Sequence, residues 1–231
     1  MKPKLLLLHG YLGSIRQMEP LAECLKDRFQ VYMYDLPGHH GKSFPEEKFT
    51  FATLQQHLYE YIKEFQLNGC IVFGFEIGGY LALSLEAKKT GTFDGIFTWG
   101  TDFDWNNHKV QTYRQLFASD KIEKNDSFFA DQLSILHFPS DWKEICKETL
   151  NLIEYTQKHP LSESEIDHIS CKVRIALGDQ DEQISVEESA YFYRQLPQGS
   201  LLVLPQTTHG LSETNLPVLK EELLQIGRAH V

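Results

Sequence analysis

Residues 70–80 read CIVFGFEIGGY. The first six, Cys70–Phe75, are apolar on both faces, which is typical of a buried strand in a parallel sheet. Glycines stand on both sides of Glu76, and residues without a Cβ permit a sharp turn from a strand into a helix. The stretch therefore predicts a strand, a tight turn and a helix. The side chain of Glu76 should be presented above the sheet, at the N-terminus of that helix.

Further apolar runs of strand length lie on either side of this stretch. They are Lys4–Leu8, Val31–Asp35, Gly95–Trp99, Val173–Leu177 and Leu201–Leu204. Segments with helical periodicity separate several of the runs: residues 18–29, residues 51–65 and a closing segment, residues 219–227. This alternation predicts an α/β fold with a mostly parallel sheet of about six strands covered by helices.

Residues 101–170 interrupt the alternation. This stretch mixes aromatic and charged residues and contains no clear strand, and it is too long to be a simple connection. We predict a helical lid inserted after the Gly95–Trp99 strand. The core of the fold would then comprise residues 1–100 and 171–231, and the lid residues 101–170.

The bulk composition is that of a globular protein. The 231 residues are 42% hydrophobic and carry a formal net charge of -10, which disfavours a nucleic-acid partner because no long basic run offsets the repulsion from phosphate. The four cysteines are widely spaced, without the pairing of a zinc or redox motif, and we interpret them as reduced thiols. No segment has the roughly 20 apolar residues of a membrane span. We expect a cytoplasmic protein without a metal or cofactor, acting on a small molecule.

Four further motifs appear in the same order as in a known superfamily. They are His9-Gly10, Asp35-Leu36-Pro37-Gly38-His39, Gly178-Asp179-Gln180-Asp181 and Thr208-His209-Gly210, each following a predicted strand. With the 70–80 stretch as nucleophile elbow, the chain resembles the α/β-hydrolase superfamily over nearly its whole length. Residues 9–14 and 35–38 look particularly like the small, lidded members of the menaquinone-biosynthesis (SHCHC synthase) type.

The resemblance implies a catalytic triad at Glu76, Asp181 and His209. It also implies oxyanion donors from the backbone N–H groups of Tyr11 and Ile77. Candidates for the pocket lining are His9, Gly10, Trp105 and Trp142. The chain departs from the superfamily pattern at the elbow itself, where Glu76 stands in place of serine.

A carboxylate at the elbow changes the chemistry that this site can perform. The helix N-terminus and a neighbouring imidazolium favour the charged form of Glu76, which is a weak nucleophile toward esters. Attack on an sp³ carbon with a good leaving group would instead give a stable glutamyl ester. Aspartate has this role in haloalkane dehalogenases and epoxide hydrolases of the superfamily, so we expect a hydrolase of a small organic substrate.

Two other readings stay open from the sequence. Glu76 and His209 can form an ion pair in a member of the fold that binds a ligand without turnover. Glu76 can alternatively act as a general acid or base in a lyase or a proton-transfer enzyme.

Several nearby polar residues have structural interpretations that compete with functional ones. We interpret His9 as a residue that holds the oxyanion loop, and the consecutive His39 and His40 as solvated side chains of a surface loop. Asp179 competes with Asp181 for the acid role, and the superfamily spacing favours Asp181. Asp102 and Asp104 follow the Gly95–Trp99 strand, where some superfamily members place the acid, and we interpret them as polar residues at the base of the lid.

Overall fold

The computed structural model describes residues 2–211 and 216–226. Within these residues six strands form one sheet in the order β2-β1-β3-β4-β5-β6, and every neighbouring pair is parallel. The strands are β1 (Lys4–Leu8), β2 (Gln30–Tyr34), β3 (Cys70–Phe75), β4 (Phe93–Trp99), β5 (Lys172–Gly178) and β6 (Gly199–Leu204). The predicted parallel α/β architecture is confirmed, and each strand bound lies within two residues of its prediction.

Ten helices connect or cover these strands in the described residues. They are α1 (Ile15–Leu25), α2 (Phe51–Glu64), α3 (Ile77–Lys88), α4 (Asn107–Leu116), α5 (Ser119–Asn125), α6 (Ser127–His137), α7 (Trp142–Lys158), α8 (Glu163–Asp167), α9 (Val186–Tyr193) and α10 (Leu216–Ile226). The predicted closing helix corresponds to α10, and the last residue of that prediction, Gly227, lies outside the described residues.

The first helix differs from its prediction at both ends. It begins at Ile15 because the Ser14 hydroxyl accepts a hydrogen bond from the Arg16 N–H and caps the helix. It ends at Leu25, where a turn follows in which the Phe29 N–H donates to the Leu25 carbonyl. Phe29 is still buried, so the apolar periodicity over residues 18–29 continued beyond the helix that it predicted.

The two faces of the sheet carry separate apolar clusters. Along β1 the side chains alternate, so that Leu5 and Leu7 contact the cluster beneath α1 and α10 while Leu6 and Leu8 contact the cluster beneath α2 and α3. The helices α4, α6 and α7 add buried apolar side chains to the cluster beneath α2 and α3. Full burial of a leucine is worth about 2 kcal/mol, so this two-sided core fixes the sheet and the loops at its carboxyl edge.

None of the helices in the described residues is both long and apolar enough to cross a membrane. All four cysteines are free thiols.

Close packing of α3 on β3 makes Gly74 a sensitive position. A Cβ built on Gly74 would lie 2.4 Å from the Gly79 nitrogen, which is backbone and has no room to move. We therefore expect Gly74→Ala to lower the free energy of unfolding by about 3 kcal/mol or more, measured by urea denaturation.

The matched control is Gly91→Ala. Gly91 has φ +86° with nothing within 4 Å of a built Cβ, so the substitution should cost only the backbone strain of about 1 kcal/mol. Equal losses for the two variants would contradict this account of the α3–β3 contact.

Candidate active site

Glu76 stands at the carboxyl end of β3 in a strained backbone conformation. Its φ is 47° and its ψ -118°, outside the regions that residues with a Cβ prefer. The conformation is held by the Glu76 N–H, which donates to the Trp99 carbonyl, and by the Glu76 carbonyl, which accepts from the Gly79 N–H and the Thr101 hydroxyl. The strand, turn and helix predicted from residues 70–80 are therefore present, with residue 76 as the N-cap of α3.

The carboxylate of Glu76 is held at both oxygens. Oε1 lies 2.8 Å from His209 Nε2, and Oε2 accepts a hydrogen bond from the Tyr11 N–H at 2.6 Å. Among the described residues no hydrogen bond joins this carboxylate to the Ile77 N–H, although Ile77 is the first residue of α3. One carboxylate thus spans the positions that superfamily resemblance gives to a nucleophile and to an oxyanion.

Asp181 lies on the other side of the same imidazole. Its Oδ2 is 2.8 Å from His209 Nδ1, and its Oδ1 accepts hydrogen bonds from the Gln183 and Ile184 N–H groups. The competing carboxylate, Asp179, accepts instead from the Thr207 N–H. The structure therefore brings together Glu76, His209 and Asp181.

The two carboxylates determine the charge of His209. Burial alone would lower its pKa, but the hydrogen bonds and charges of Asp181 and Glu76 outweigh burial and raise the pKa to about 10. Both ring nitrogens face carboxylate oxygens, which only accept hydrogen bonds, so both must carry hydrogen. At neutral pH the centre is an imidazolium between two carboxylates.

The loop that follows β1 leaves room for the Glu76 carboxylate. A Cβ on Gly10 would lie 2.1 Å from Glu76 Oε2, so only glycine allows this approach. His9 is buried, with Nδ1 bonded to the Gly10 carbonyl and Nε2 accepting from the Leu36 N–H. Burial lowers the pKa of His9 to about 4, so its ring is neutral and holds the loop, as the sequence favoured.

Aromatic side chains from α4 and the region after it pack against this loop. The Tyr11 ring contacts the rings of Tyr113 and Phe117 at centroid distances of 5.5 and 5.4 Å. The Tyr113 hydroxyl donates to Asp102, which is buried and ion-paired with Lys109 at 2.8 Å. Burial raises the pKa of Asp102 to about 6, opposed by Lys109. Asp102 is thus fixed at the base of the inserted helices.

A cavity of about 530 Å³ adjoins Glu76 and His209. It lies against α1, with Arg16 and Gln17 in its wall and apolar contributions from Leu21 and Phe75. A second cavity, of about 560 Å³, shares none of these lining residues. The first cavity therefore opens to Glu76 and His209 from the α1 side.

Of the four candidates for the pocket lining, His9 and Gly10 hold the loop beside Glu76 but do not line this cavity, and Trp105 and Trp142 lie away from it. Both are buried and neither lines the cavity beside Glu76. Trp105 packs edge-on against Tyr80 at 5.4 Å, and Trp142 begins α7 within the apolar cluster beneath α2 and α3. Burial of a large aromatic ring contributes more to stability than burial of a small side chain, which explains why both rings lie in the hydrophobic core.

The interpretation of His39 and His40 as solvated was wrong. His39 is buried between His9 and His137, and its Nδ1 is bonded to the Pro37 carbonyl. His40 is only partly exposed and its Nδ1 lies 3.0 Å from Asp35. The end of α6 packs on this loop, with the His40 N–H donating to His137, and the local sequence could not indicate that contact.

Two residues that support the site were missed from the sequence. Gln17 Oε1 accepts the Gly10 N–H, and His137 bonds the backbone of Leu12, 125 positions away in the chain. No local sequence motif indicates either contact.

Among the described residues no group of three or more histidine, cysteine or acidic side chains is arranged to hold a metal ion.

The chain matches a known family and several relatives. The alpha/beta hydrolase fold family matches residues 3–144. A hydrolase of Bacillus subtilis, YugF, is 19% identical over 95% of this chain and 88% of its own length. A pimeloyl-[acyl-carrier protein] methyl ester esterase of Nitrosospira multiformis is 25% identical over 43% of this chain and 38% of its own length. A Haemophilus influenzae protein named as an esterase/lipase is matched over 29% of its length.

Solved structures agree over nearly the whole chain. The lip1 protein of Acinetobacter baumannii superposes with a TM-score of 0.82 at 19% identity, covering 99% of this chain and 86% of that one. MenH from S. aureus superposes with a TM-score of 0.76 at 18% identity, covering 97% and 92%. At these identities the likeness shows the shared fold.

The charge of His209 predicts how stability depends on pH. The folded-state pKa of about 10 exceeds the ordinary value of 6.5, so this stabilisation is complete below pH 6.5 and is lost as pH rises through about 10. Between pH 6.5 and 8.5, before tyrosines titrate, the free energy of unfolding should fall by about 2 to 3 kcal/mol.

Urea denaturation at several pH values measures this slope. In His209→Gln the slope of stability against pH should disappear. In Glu76→Gln only Asp181 still raises the pKa of His209, so the slope should end at a lower pH than in the wild type. A wild-type slope equal to that of His209→Gln would refute the imidazolium.

Proposed function

The chain belongs to the α/β-hydrolase-fold family, and we propose that it is a hydrolase of a small organic molecule in which Glu76, Asp181 and His209 act together. The relatives named as a hydrolase and an esterase support the reaction class. The presence of Glu76 at the elbow gives the reaction its particular form, which is attack on an sp³ carbon rather than on an acyl group.

One observation carries this proposal: the position of the two Glu76 oxygens. Oε2 is 2.6 Å from the Tyr11 N–H, where the charge of a tetrahedral intermediate would be stabilised. If Oε1 carried an alkyl group, Oε2 would be the carbonyl oxygen of the resulting ester and would already lie at its donor. The glutamyl ester would therefore be presented for hydrolysis without rearrangement.

The reaction proceeds in two displacements. First, an electron pair of Oε1 forms a bond to the substrate carbon, and the leaving group departs with the electron pair of the broken bond. A halide leaves as the anion, whereas an epoxide oxygen remains attached to the substrate and takes up a proton. Glu76 loses its charge in this step, so one of the two carboxylates that raise the pKa of His209 no longer does so.

His209 acts in the second displacement. Once its proton has passed to the leaving oxygen or to solvent, the neutral imidazole takes a proton from water, held in orientation by Asp181 at 2.8 Å. The water oxygen adds to the ester carbonyl carbon, and collapse of the intermediate breaks the bond between that carbon and the alkyl-bearing oxygen. The departing alkoxide takes the remaining proton of the added hydroxyl, so an alcohol leaves and the Glu76 carboxylate is restored. His209 thus becomes a base only after the ester has formed.

We further propose that residues 101–170 form the lid of this site. Tyr113 and Phe117 lie on the Tyr11 ring, so a substrate that enters from that side must displace them. The menaquinone-biosynthesis type remains a finer proposal, supported by residues 9–14 and 35–38 and by the fold of MenH.

A second candidate function is ligand binding without turnover. It is favoured by the same aromatic packing, together with the engagement of both Glu76 oxygens by protein donors. In this case the ion pair with His209 stabilises the loops, and the cavity of about 530 Å³ holds the ligand.

Trapping the ester intermediate tests the first candidate. In His209→Gln the base is absent, so incubation should increase the mass of the protein by one hexyl group with 1-bromohexane, or by one hydroxyphenylethyl group with styrene oxide. Peptide mass spectrometry should place that group on Glu76, at close to one equivalent per chain. The matched control is the double variant Glu76→Gln/His209→Gln, which should stay unmodified.

The result also separates the two candidates. If neither variant gains mass across a panel of halides and epoxides, and the wild type turns none of them over, covalent hydrolysis is refuted. Saturable thermal stabilisation of the wild type by compounds that it does not turn over would then support ligand binding.

A further inference from the structure

His137, at the end of α6, makes two hydrogen bonds to backbone on separate loops. Its Nε2 lies 3.1 Å from the Leu12 carbonyl, and its Nδ1 lies 3.1 Å from the His40 N–H. A carbonyl only accepts and an N–H only donates, so the hydrogen must be on Nε2 and Nδ1 must be bare. His137 is fully buried, and burial lowers its pKa, which keeps the ring neutral as these bonds require.

The Leu12 carbonyl is attached to the part of the site that holds Glu76. Leu12 follows Tyr11, whose N–H donates to the Glu76 carboxylate at 2.6 Å. Leu12 has φ 50°, a left-handed conformation that costs a residue with a Cβ roughly 1 kcal/mol or more. A strained turn keeps this geometry only when neighbours hold it, and the hydrogen bond from His137 is such a restraint.

The end of α6 is also packed tightly onto the loop after β2. A Cβ on Gly41 would lie 2.9 Å from the Phe138 carbonyl oxygen, and the Ser140 hydroxyl donates to the Lys42 carbonyl at 2.9 Å. The His137 ring is 5.5 Å from the His39 ring, edge to face. His137 therefore has little freedom, and its Nε2–H is aimed at a fixed point.

We infer that His137 is a positioning residue, which holds the Leu12 carbonyl and through it directs the Tyr11 N–H toward Glu76. The catalytic part of this inference rests on the proposed function, since Tyr11 would there stabilise the charge of the tetrahedral intermediate. The structural part is independent of the proposed function. The hydrogen bond from His137 to the Leu12 carbonyl links the helices between β4 and β5 to the loop that follows β1.

Two substitutions separate the bonds of His137. In His137→Gln the amide nitrogen lies as many bonds from Cβ as Nε2 does, so the donor to Leu12 is kept. In His137→Asn the amide oxygen replaces Nδ1, so the acceptor for the His40 N–H is kept and the donor to Leu12 is lost. His108→Ala is the control, because His108 is an exposed histidine of α4.

The amide proton of Tyr11 in ¹⁵N-labelled protein reports the result. A short hydrogen bond to a carboxylate places this proton far downfield in the wild type. It should remain there in His137→Gln and His108→Ala and move upfield in His137→Asn. With a substrate that the wild type hydrolyses, His137→Asn should lower kcat about tenfold with little change in KM.

The outcomes distinguish this inference from the proposed function. An unmoved Tyr11 amide proton in His137→Asn, or equal upfield shifts in the Gln and Asn variants, would overturn the positioning role whether or not turnover is found. A shift confined to His137→Asn supports the positioning role even if the wild type hydrolyses nothing. A wild type that hydrolyses nothing would refute the proposed reaction and leave the positioning role of His137 standing.

Discussion

The Glu76 carboxylate is shared between the His209 imidazolium and the Tyr11 N–H, and the rest of the site is arranged around this sharing. One oxygen is 2.8 Å from the imidazole and the other 2.6 Å from the amide nitrogen. A serine hydroxyl could not span both positions, because it has a single oxygen. Glu76 therefore occupies the Tyr11 N–H as well as the His209 ring, and in the proposed reaction it would also take the place of a serine nucleophile.

This sharing makes demands on the surrounding chain. Gly10 must lack a Cβ for the carboxylate to fit, and Glu76 must remain in a strained turn supported by Thr101 and the start of α3. The negative charge of Glu76 must also be balanced, and His209 balances it because its pKa of about 10 keeps the ring protonated at neutral pH. In the proposed reaction Glu76 must be neutralised before His209 can act as a base, so covalent attack would precede water activation.

Local patterns were sufficient for the sheet and for the three charged residues. Apolar runs ended by turn residues predicted β1 to β6. The superfamily spacing favoured Asp181 over Asp179, and Asp181 is the carboxylate that lies beside His209. Patterns could not place Trp105 and Trp142, since a buried aromatic side chain looks the same in sequence whether it lines a cavity or fills a core. Nor could they find His137, because its bond to Leu12 joins segments 125 positions apart and depends on how α6 lies on the loops.

NMR titration of the His209 ring nitrogens measures directly whether the ring is an imidazolium held between two carboxylates. We expect both nitrogens of His209 to remain protonated at pH 8, with a pKa of about 10 that Glu76→Gln lowers. A His209 that titrates at the ordinary histidine pKa of about 6.5 in the wild type, unaffected by Glu76→Gln, would contradict the account.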